Sequence, residues 1–137
     1  MSKAGYLIIL GLMVLGLNGC STGKMDSCQD GRSLAWFCTP SQQMLGKGNK
    51  FYEEGNYPNA ITQLQGVIDM TSATSNERIE AYKTLAFIHC VSSRTNLCAE
   101  SFKKALELNP KFDLSPAEVG HPIWGPIFLS TKKSVTK

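Results

Sequence analysis

Apolar residues recur at spacings of three and four between Met44 and Pro110, and short polar or Gly- and Pro-containing breaks divide them into four segments. Such spacing places apolar side chains on one face of a helix. We therefore expect four amphipathic helices and an all-α domain. Gly55 should end the first helix and Asn109-Pro110 the fourth, whose apolar positions include Leu97 and Leu108.

Two further patterns predict where later helices begin. Thr74 and Glu77 match a capping box, in which the two side chains satisfy free backbone amides at the start of a helix. Ser115 and Glu118 repeat this pattern in the C-terminal segment, with Pro116 at the first helical position. We expect a third helix after Thr74 and a short helix after Ser115.

The chain begins with the features of an export signal. Lys3 precedes an uncharged apolar run that ends at Leu17 and is too short to span a bilayer comfortably. The sequence Leu17-Asn18-Gly19-Cys20 resembles a bacterial lipobox, from which only Asn18 departs. The resemblance implies cleavage before Cys20 and lipid attachment to its thiol. Because stable anchoring takes two or more acyl chains, a triacylated Cys20 would keep the protein at a membrane.

The cysteine count supports this interpretation. An ordinary secreted protein with Cys20 in a disulfide is the alternative, but five cysteines leave an even set of four once Cys20 is lipidated. In an oxidising compartment these four would form two disulfides. Proximity in the sequence favours pairing Cys28 with Cys38 and Cys90 with Cys98, and other pairings remain possible.

Four parts follow from these patterns. Residues 1–19 are the predicted signal peptide, 20–43 a lipidated tether with a disulfide loop, 44–110 the helical domain, and 111–137 a C-terminal cap with a basic tail. In lipoproteins with similar N-termini, serine after the lipidated cysteine permits transfer to the outer membrane. Ser21 therefore implies the periplasmic face of that membrane.

The helical segments resemble tetratricopeptide repeats, in which small residues let two antiparallel helices approach closely. The first repeat matches at Gly48, Phe51, Gly55, Tyr57, Ala60, Leu64 and Val67, and the second at Leu85, Ala86, Cys98, Phe102, Ala105 and Pro110. The resemblance implies two helical hairpins. Because two hairpins are fewer than the three or more that usually make a stable stack, we expect the C-terminal segment to cap them.

Repeats of this kind bind extended segments or helices in a groove lined by the first helix of each repeat. The resemblance therefore implies a protein-binding surface at Asn49, Tyr52, Glu53, Lys83, Ala86 and Phe87. Farther along the chain, Trp124, Ile127 and Phe128 either cap the last hairpin, which we favour, or form an exposed anchor for a partner.

The basic tail contains Lys132, Lys133 and Lys137 and no acidic residue. This composition fits a solvated, frayed helix end or a weak contact with an anionic surface. The whole chain carries a formal charge of +3, which falls to about +2 when Lys3 is removed, so nucleic-acid binding is not indicated.

No catalytic centre is recognisable. His89 and His121 lie in no catalytic motif. His89 with Cys90 and Cys98 lacks the paired Cys-x-x-Cys spacing of metal ligands, and the same spacing is missing for a thiol oxidoreductase. We expect a protein that is not an enzyme and that uses no metal, cofactor or small-molecule substrate.

The complete arrangement resembles the TssQ-type lipoproteins that accompany type VI secretion systems. The most distinctive part is the C-terminal sequence from Phe112 to Glu118 followed by Gly120-His121-Pro122-x-Trp124-Gly125-Pro126-x-Phe128. The resemblance implies an accessory role in the periplasm, with secretion-system envelope components as partners. The alternative is an envelope-assembly scaffold or pilotin-like lipoprotein that is unrelated to contractile secretion.

Overall fold

The computed structural model describes residues 38–136, which form six helices and no strand. The helices are α1 (Pro40–Glu53), α2 (Tyr57–Asp69), α3 (Ser75–Val91), α4 (Thr95–Leu108), α5 (Pro116–Val119) and α6 (Gly125–Val135). The predicted all-α class is confirmed. The predicted signal peptide, Cys20 and Cys28 lie outside the described residues. Within the described range, no helix is both long enough and apolar enough to cross a bilayer.

Three of the helices begin with a capping box. The two that the sequence predicts, Thr74 with Glu77 and Ser115 with Glu118, are both present. The third is formed by Thr39 and Gln42, and it starts α1 at Pro40 rather than at the predicted Met44. The four residues of the chain before Met44 therefore belong to the helical domain and not to the tether.

The turns that end the helices follow the sequence. α1 ends at Glu53, and Gly55 adopts a φ of +74° in the turn to α2, a backbone conformation that glycine adopts without steric cost. Ser93 takes the corresponding role between α3 and α4, with a φ of 59°. Asn109 caps α4, as predicted.

Successive helices pack on one another: α1 on α2, α2 on α3, α3 on α4 and α4 on α6, while α1 and α3 also touch. The close approach of α1 and α2 depends on Gly48, where an added Cβ would lie 2.8 Å from the side chain of the fully buried Leu64. Two pairs of neighbouring antiparallel helices, α1 with α2 and α3 with α4, therefore make up most of the domain.

Two apolar clusters fill the interior. One lies among α1, α2 and α3 and contains Ala60, Leu64, Val67, Ala73, Ala81, Leu85 and Ile88. The other joins α3 and α4 to the C-terminal segment and contains Ala86, Phe87, Cys90, Cys98, Phe102, Leu106, Leu114, Trp124 and Phe128. Leu97 and Leu108 stay outside both clusters and are 42% and 40% exposed, so the prediction that they belong to the apolar face of α4 is wrong.

The predicted pairing of Cys90 with Cys98 is confirmed, with 5.2 Å between the two Cα atoms. This disulfide joins the end of α3 to the start of α4 across the turn at Ser93. Cys38 is also in a disulfide. Its predicted pairing with Cys28 lies outside the described residues.

Candidate protein-binding face

The residues predicted to bind a partner divide between the surface and the core. Asn49, Tyr52 and Lys83 are half-buried and Glu53 is exposed, whereas Ala86, Phe87, Trp124 and Phe128 are buried, with at most 9% exposure. The prediction of surface contacts through these four buried residues is wrong, because they pack into one apolar cluster. Trp124 and Phe128 are core residues and not an exposed anchor.

Two hydrogen bonds hold α1 against α3. The Ser41 hydroxyl donates to Glu77 Oε2 at 3.0 Å near the starts of the helices. Farther along, the Thr84 hydroxyl donates to Asn49 Oδ1 at 3.0 Å. Because the carbonyl oxygen of Asn49 is already engaged, its amide NH₂ group is the part that remains to donate to a partner.

A row of five aromatic rings crosses the domain from α2 to the segment before α6, and three of its four contacts are stacked while that of Tyr52 with Phe87 is tilted. In order, its members are Tyr57, Tyr52, Phe87, Trp124 and His121. The centroid separations along this aromatic row are 6.2, 6.4, 4.4 and 3.4 Å. Offset or tilted ring contacts at such distances stabilise packing beyond simple area burial. The row therefore attaches the C-terminal segment to α3.

An ion-pair network lies beside this row. Lys83 Nζ is 2.8 Å from Glu80 Oε2 and 3.2 Å from Glu118 Oε1. Burial lowers the pKa of Lys83, but the two carboxylates raise it more, so the net pKa lies above its ordinary value. Lys83 therefore carries a positive charge that one of the two carboxylates balances. Together, Lys83, Glu80 and Glu118 carry one net negative charge. Lys83, which the sequence places on the predicted partner-binding surface, is therefore already engaged by two carboxylates of this chain.

Glu118 connects the network to the start of α5. Burial raises the pKa of its carboxyl, but hydrogen bonds from the Ser115 backbone and side chain and the nearby Lys83 lower it more, so the net pKa is below its ordinary value. The Ser115 N–H donates to Glu118 Oε2 at 2.8 Å, which is the contact expected of a capping box. One side chain therefore both caps α5 and fastens it to α3.

Tyr52 is a half-buried aromatic side chain of α1 that lies between the rings of Tyr57 and Phe87. Burial raises the pKa of its hydroxyl, and Tyr57 and Glu118 raise it further. The hydroxyl is therefore protonated at neutral pH and can donate a hydrogen bond to a partner. We define the α1–α3 face as Asn49, Tyr52, Glu53, Glu80, Lys83 and Glu118.

Sequence reasoning missed Glu80 and Glu118 as parts of this face, and it missed Thr84, the buried side chain that donates to Asn49. Glu80 could have been found, because it lies three residues before Lys83 on the same helix and pairs with it. Thr84 and Glu118 had no such signal, since their partners Asn49 and Lys83 lie on other helices.

The C-terminal segment occupies one side of the predicted groove. Trp124 Nε1 donates to the Glu118 carbonyl oxygen at 2.9 Å, while its ring stacks on Phe87. Lys132 forms an ion pair with Asp113 at 2.7 Å, so the tail, which has no acidic residue of its own, meets one from the preceding loop in the folded protein. The C-terminal segment leaves the α1 residues of the face accessible, since Asn49 and Tyr52 are half-buried and Glu53 is exposed.

Within residues 38–136, no group of three or more His, Cys, Asp or Glu side chains could hold a metal ion. Burial and the nearby Arg94 lower the pKa of His89. Cys90 and Cys98, which lie near His89 in the sequence, are bonded to each other in a disulfide and have no thiol to bind a metal.

Comparisons of the chain with protein-family models, with curated proteins and with solved structures gave no match.

Proposed function

We propose that this protein is a lipid-anchored binding module without enzymatic activity, an accessory component of a type VI secretion system. It would be attached through Cys20 and face the periplasm from the outer membrane. Support comes from the lipobox at Leu17–Cys20, from Ser21, and from the C-terminal motif that resembles TssQ-type lipoproteins. Proteins of the secretion-system envelope complex would be its partners.

The two helical hairpins are tetratricopeptide-like in this proposal. Gly48 against Leu64 and the positive φ of Gly55 fit the roles that small residues have in such repeats. The side-by-side contact of α1 and α3 also fits, because the first helices of successive repeats line one groove. The C-terminal segment would replace a third repeat.

The observation that carries the binding proposal is the composition of the α1–α3 face. It combines the ring of Tyr52, which stacks on Tyr57 of α2, with the amide of Asn49 and the exposed carboxylate of Glu53. Half-buried aromatic rings beside unused hydrogen-bonding groups are typical of protein interfaces. Because Trp124 fills the other side of the groove, a partner would bind next to α1.

Site-specific photocrosslinking tests this proposal in intact cells. A photoreactive amino acid would replace Tyr52 or Glu53 in the full-length protein, and Lys103, which is 58% exposed on α4, provides the matched control. We expect positions 52 and 53, but not 103, to crosslink to envelope components of the secretion system. Crosslinks to outer-membrane assembly factors would instead support the scaffold role, and equal crosslinking at all three positions would overturn the proposed face.

A killing assay connects the face to secretion. Deleting residues 114–128 is a poor test, because this removes the buried Leu114 and Trp124. The surface substitution Glu53→Arg avoids that problem, and Glu100→Arg on α4 is the control. We expect Glu53→Arg alone to reduce secretion-dependent killing of neighbouring bacteria. Normal killing by Glu53→Arg, together with normal killing after gene deletion, would rule out the accessory role.

A further inference from the structure

An apolar stripe runs along the outer side of α6 and the residues just before it. Ile123 and Leu129 are 47% and 54% exposed, the highest values among the exposed large apolar side chains of the described residues. Pro126 lies between them and is also exposed. Pro126 and Leu129 are three residues apart and share one face of α6, and Ile123 lies in the turn just before the helix. We call these three exposed apolar residues the strip.

This strip covers the end of the helical stack. The opposite side of α6 is buried against α4 through Phe128 and Thr131. Stacked helical proteins usually end in a layer whose outer face is polar, which keeps them soluble. The last layer departs from that rule only at its start, where Ile123, Pro126 and Leu129 are exposed, while Lys133 farther along α6 is polar. A mixed apolar and basic face of this kind fits an interfacial surface.

Charge narrows the choice of that surface. α6 contains Lys132 and Lys133 and no acidic residue, and the neighbouring loop adds Lys111 and Asp113. Asp113 pairs with Lys132, and within residues 38–136 no ion pair involves Lys111 or Lys133. Three lysines against one aspartate leave a local charge of +2. Two such surfaces would repel each other, which disfavours a dimer of this chain through α6 and favours an anionic surface.

We propose that the outer side of α6 rests on a bilayer that contains anionic phospholipids. Ile123, Pro126 and Leu129 would enter the headgroup region, while Lys111 and Lys133 would contact lipid phosphates. Apolar side chains flanked by lysines are the combination that holds helices in the plane of a membrane surface. Two lysines near an anionic surface are attracted to it only weakly, so the contact is weak on its own.

This inference rests on the proposed function, because the lipid attached to Cys20 would strengthen the contact of α6 with the membrane in the cell. Cys38 is disulfide-bonded, and with its predicted partner Cys28 the lipidated Cys20 lies only eight residues from that disulfide, a span of at most about 28 Å at about 3.5 Å per extended residue. Such a tether would hold the domain close to the bilayer, where surface chemistry would favour the face that touches it. Since α6 packs on α4 whereas α1 packs on α2 and α3, this orientation leaves the α1–α3 face open to a partner.

Quenching by brominated lipids tests the contact directly. The lipidated full-length protein would be reconstituted in vesicles containing brominated phosphatidylglycerol, with tryptophan introduced by Leu129→Trp or, as the matched control, by Leu97→Trp on α4. The wild-type protein gives the background from Trp36 and Trp124. We expect the added fluorescence to be lost at position 129 and retained at 97. Equal quenching at both positions, or none at 129, would overturn the proposal.

Two controls separate this inference from the proposed function. Palmitate labelling of wild type and Cys20→Ser measures lipid attachment by itself, and unlipidated protein added to the same vesicles still tests α6. In the unlipidated protein, Leu129→Glu should abolish co-sedimentation with the anionic vesicles, whereas Leu97→Glu should not. A concentration-dependent dimer that Leu129→Glu removes in sedimentation analysis would show that a second copy covers this strip, contrary to the proposal.

Discussion

The indole ring of Trp124 stacks on the phenyl ring of Phe87, with 4.4 Å between the ring centroids and 29° between the ring planes. The contact joins the residue that precedes α6 to the middle of α3. Trp124 also donates through Nε1 to the Glu118 carbonyl oxygen, so a single side chain ties α3, α5 and α6 together. The C-terminal segment is therefore an integral part of the fold.

Replacing this side chain tests that conclusion. Trp124→Ala should lower the free energy of unfolding by about 3–5 kcal/mol, because it removes a buried aromatic ring and leaves a cavity. Trp124→Phe keeps a ring against Phe87 and loses only the hydrogen bond to Glu118, so we expect a smaller loss. Urea denaturation followed by circular dichroism measures both. A Trp124→Ala protein as stable as wild type would contradict the integral role of the segment.

Local features of the fold were predictable from the sequence because each depends on residues a few positions apart. The capping boxes at Thr74 and Ser115, the turn at Gly55 and the Cys90–Cys98 disulfide are all of this kind. The earlier start of α1 was also predictable in principle. Thr39 and Gln42 have the same spacing as the two capping boxes that were recognised.

The arrangement of the candidate site was less predictable, because it depends on how distant helices pack. Nothing in the local sequence distinguishes a buried Trp124 from an exposed one until the position of α6 on α4 is known. Likewise, Lys132 has no acid near it in sequence and meets Asp113 only after α6 has packed. Periodicity also placed Leu97 and Leu108 inside, although they lie at the two ends of α4, beyond the packed surface.

Gly125 provides a second test of how α6 begins. A Cβ atom at this position would overlap the backbone carbonyl oxygen of Val119, which cannot rotate away. Gly125→Ala should therefore reduce stability by about 1–3 kcal/mol, the usual cost of overpacking. Gly120→Ala is the milder comparison, since its Cβ would lie 3.3 Å from the Pro116 carbonyl oxygen and would need a shift of only a few tenths of an ångström. If both variants unfold at the same urea concentration, the close approach of Gly125 to Val119 is not important for stability.

The Cys90–Cys98 disulfide should matter for stability more than for the shape of the fold. Both cysteines are buried between α3 and α4, which also pack through Phe87 and Phe102. Closing a short loop restricts the unfolded chain, which typically contributes about 2–4 kcal/mol. The double substitution Cys90→Ala with Cys98→Ala should lower the unfolding free energy by about this amount and retain the helical circular dichroism spectrum. Loss of the spectrum at low temperature would show that folding requires the disulfide.

The ion pair between Glu118 and Lys83 predicts how stability depends on pH. Burial alone would raise the pKa of Glu118, but its contacts with Ser115 and Lys83 place the pKa in the folded protein below the ordinary value. A carboxyl with a depressed pKa stabilises the fold above the pKa of the unfolded chain, and this contribution is lost as the pH falls through the folded pKa.

The substitution Glu118→Gln tests this pH dependence. It should lower the urea midpoint of unfolding at about pH 7, and the midpoints measured at about pH 7 and about pH 3.5 should differ less than they do in the wild-type protein. Glu54→Gln, at the exposed end of α1, should leave that difference unchanged. An equal pH dependence in wild type and Glu118→Gln would mean that the contact between α3 and α5 does not depend on this charge.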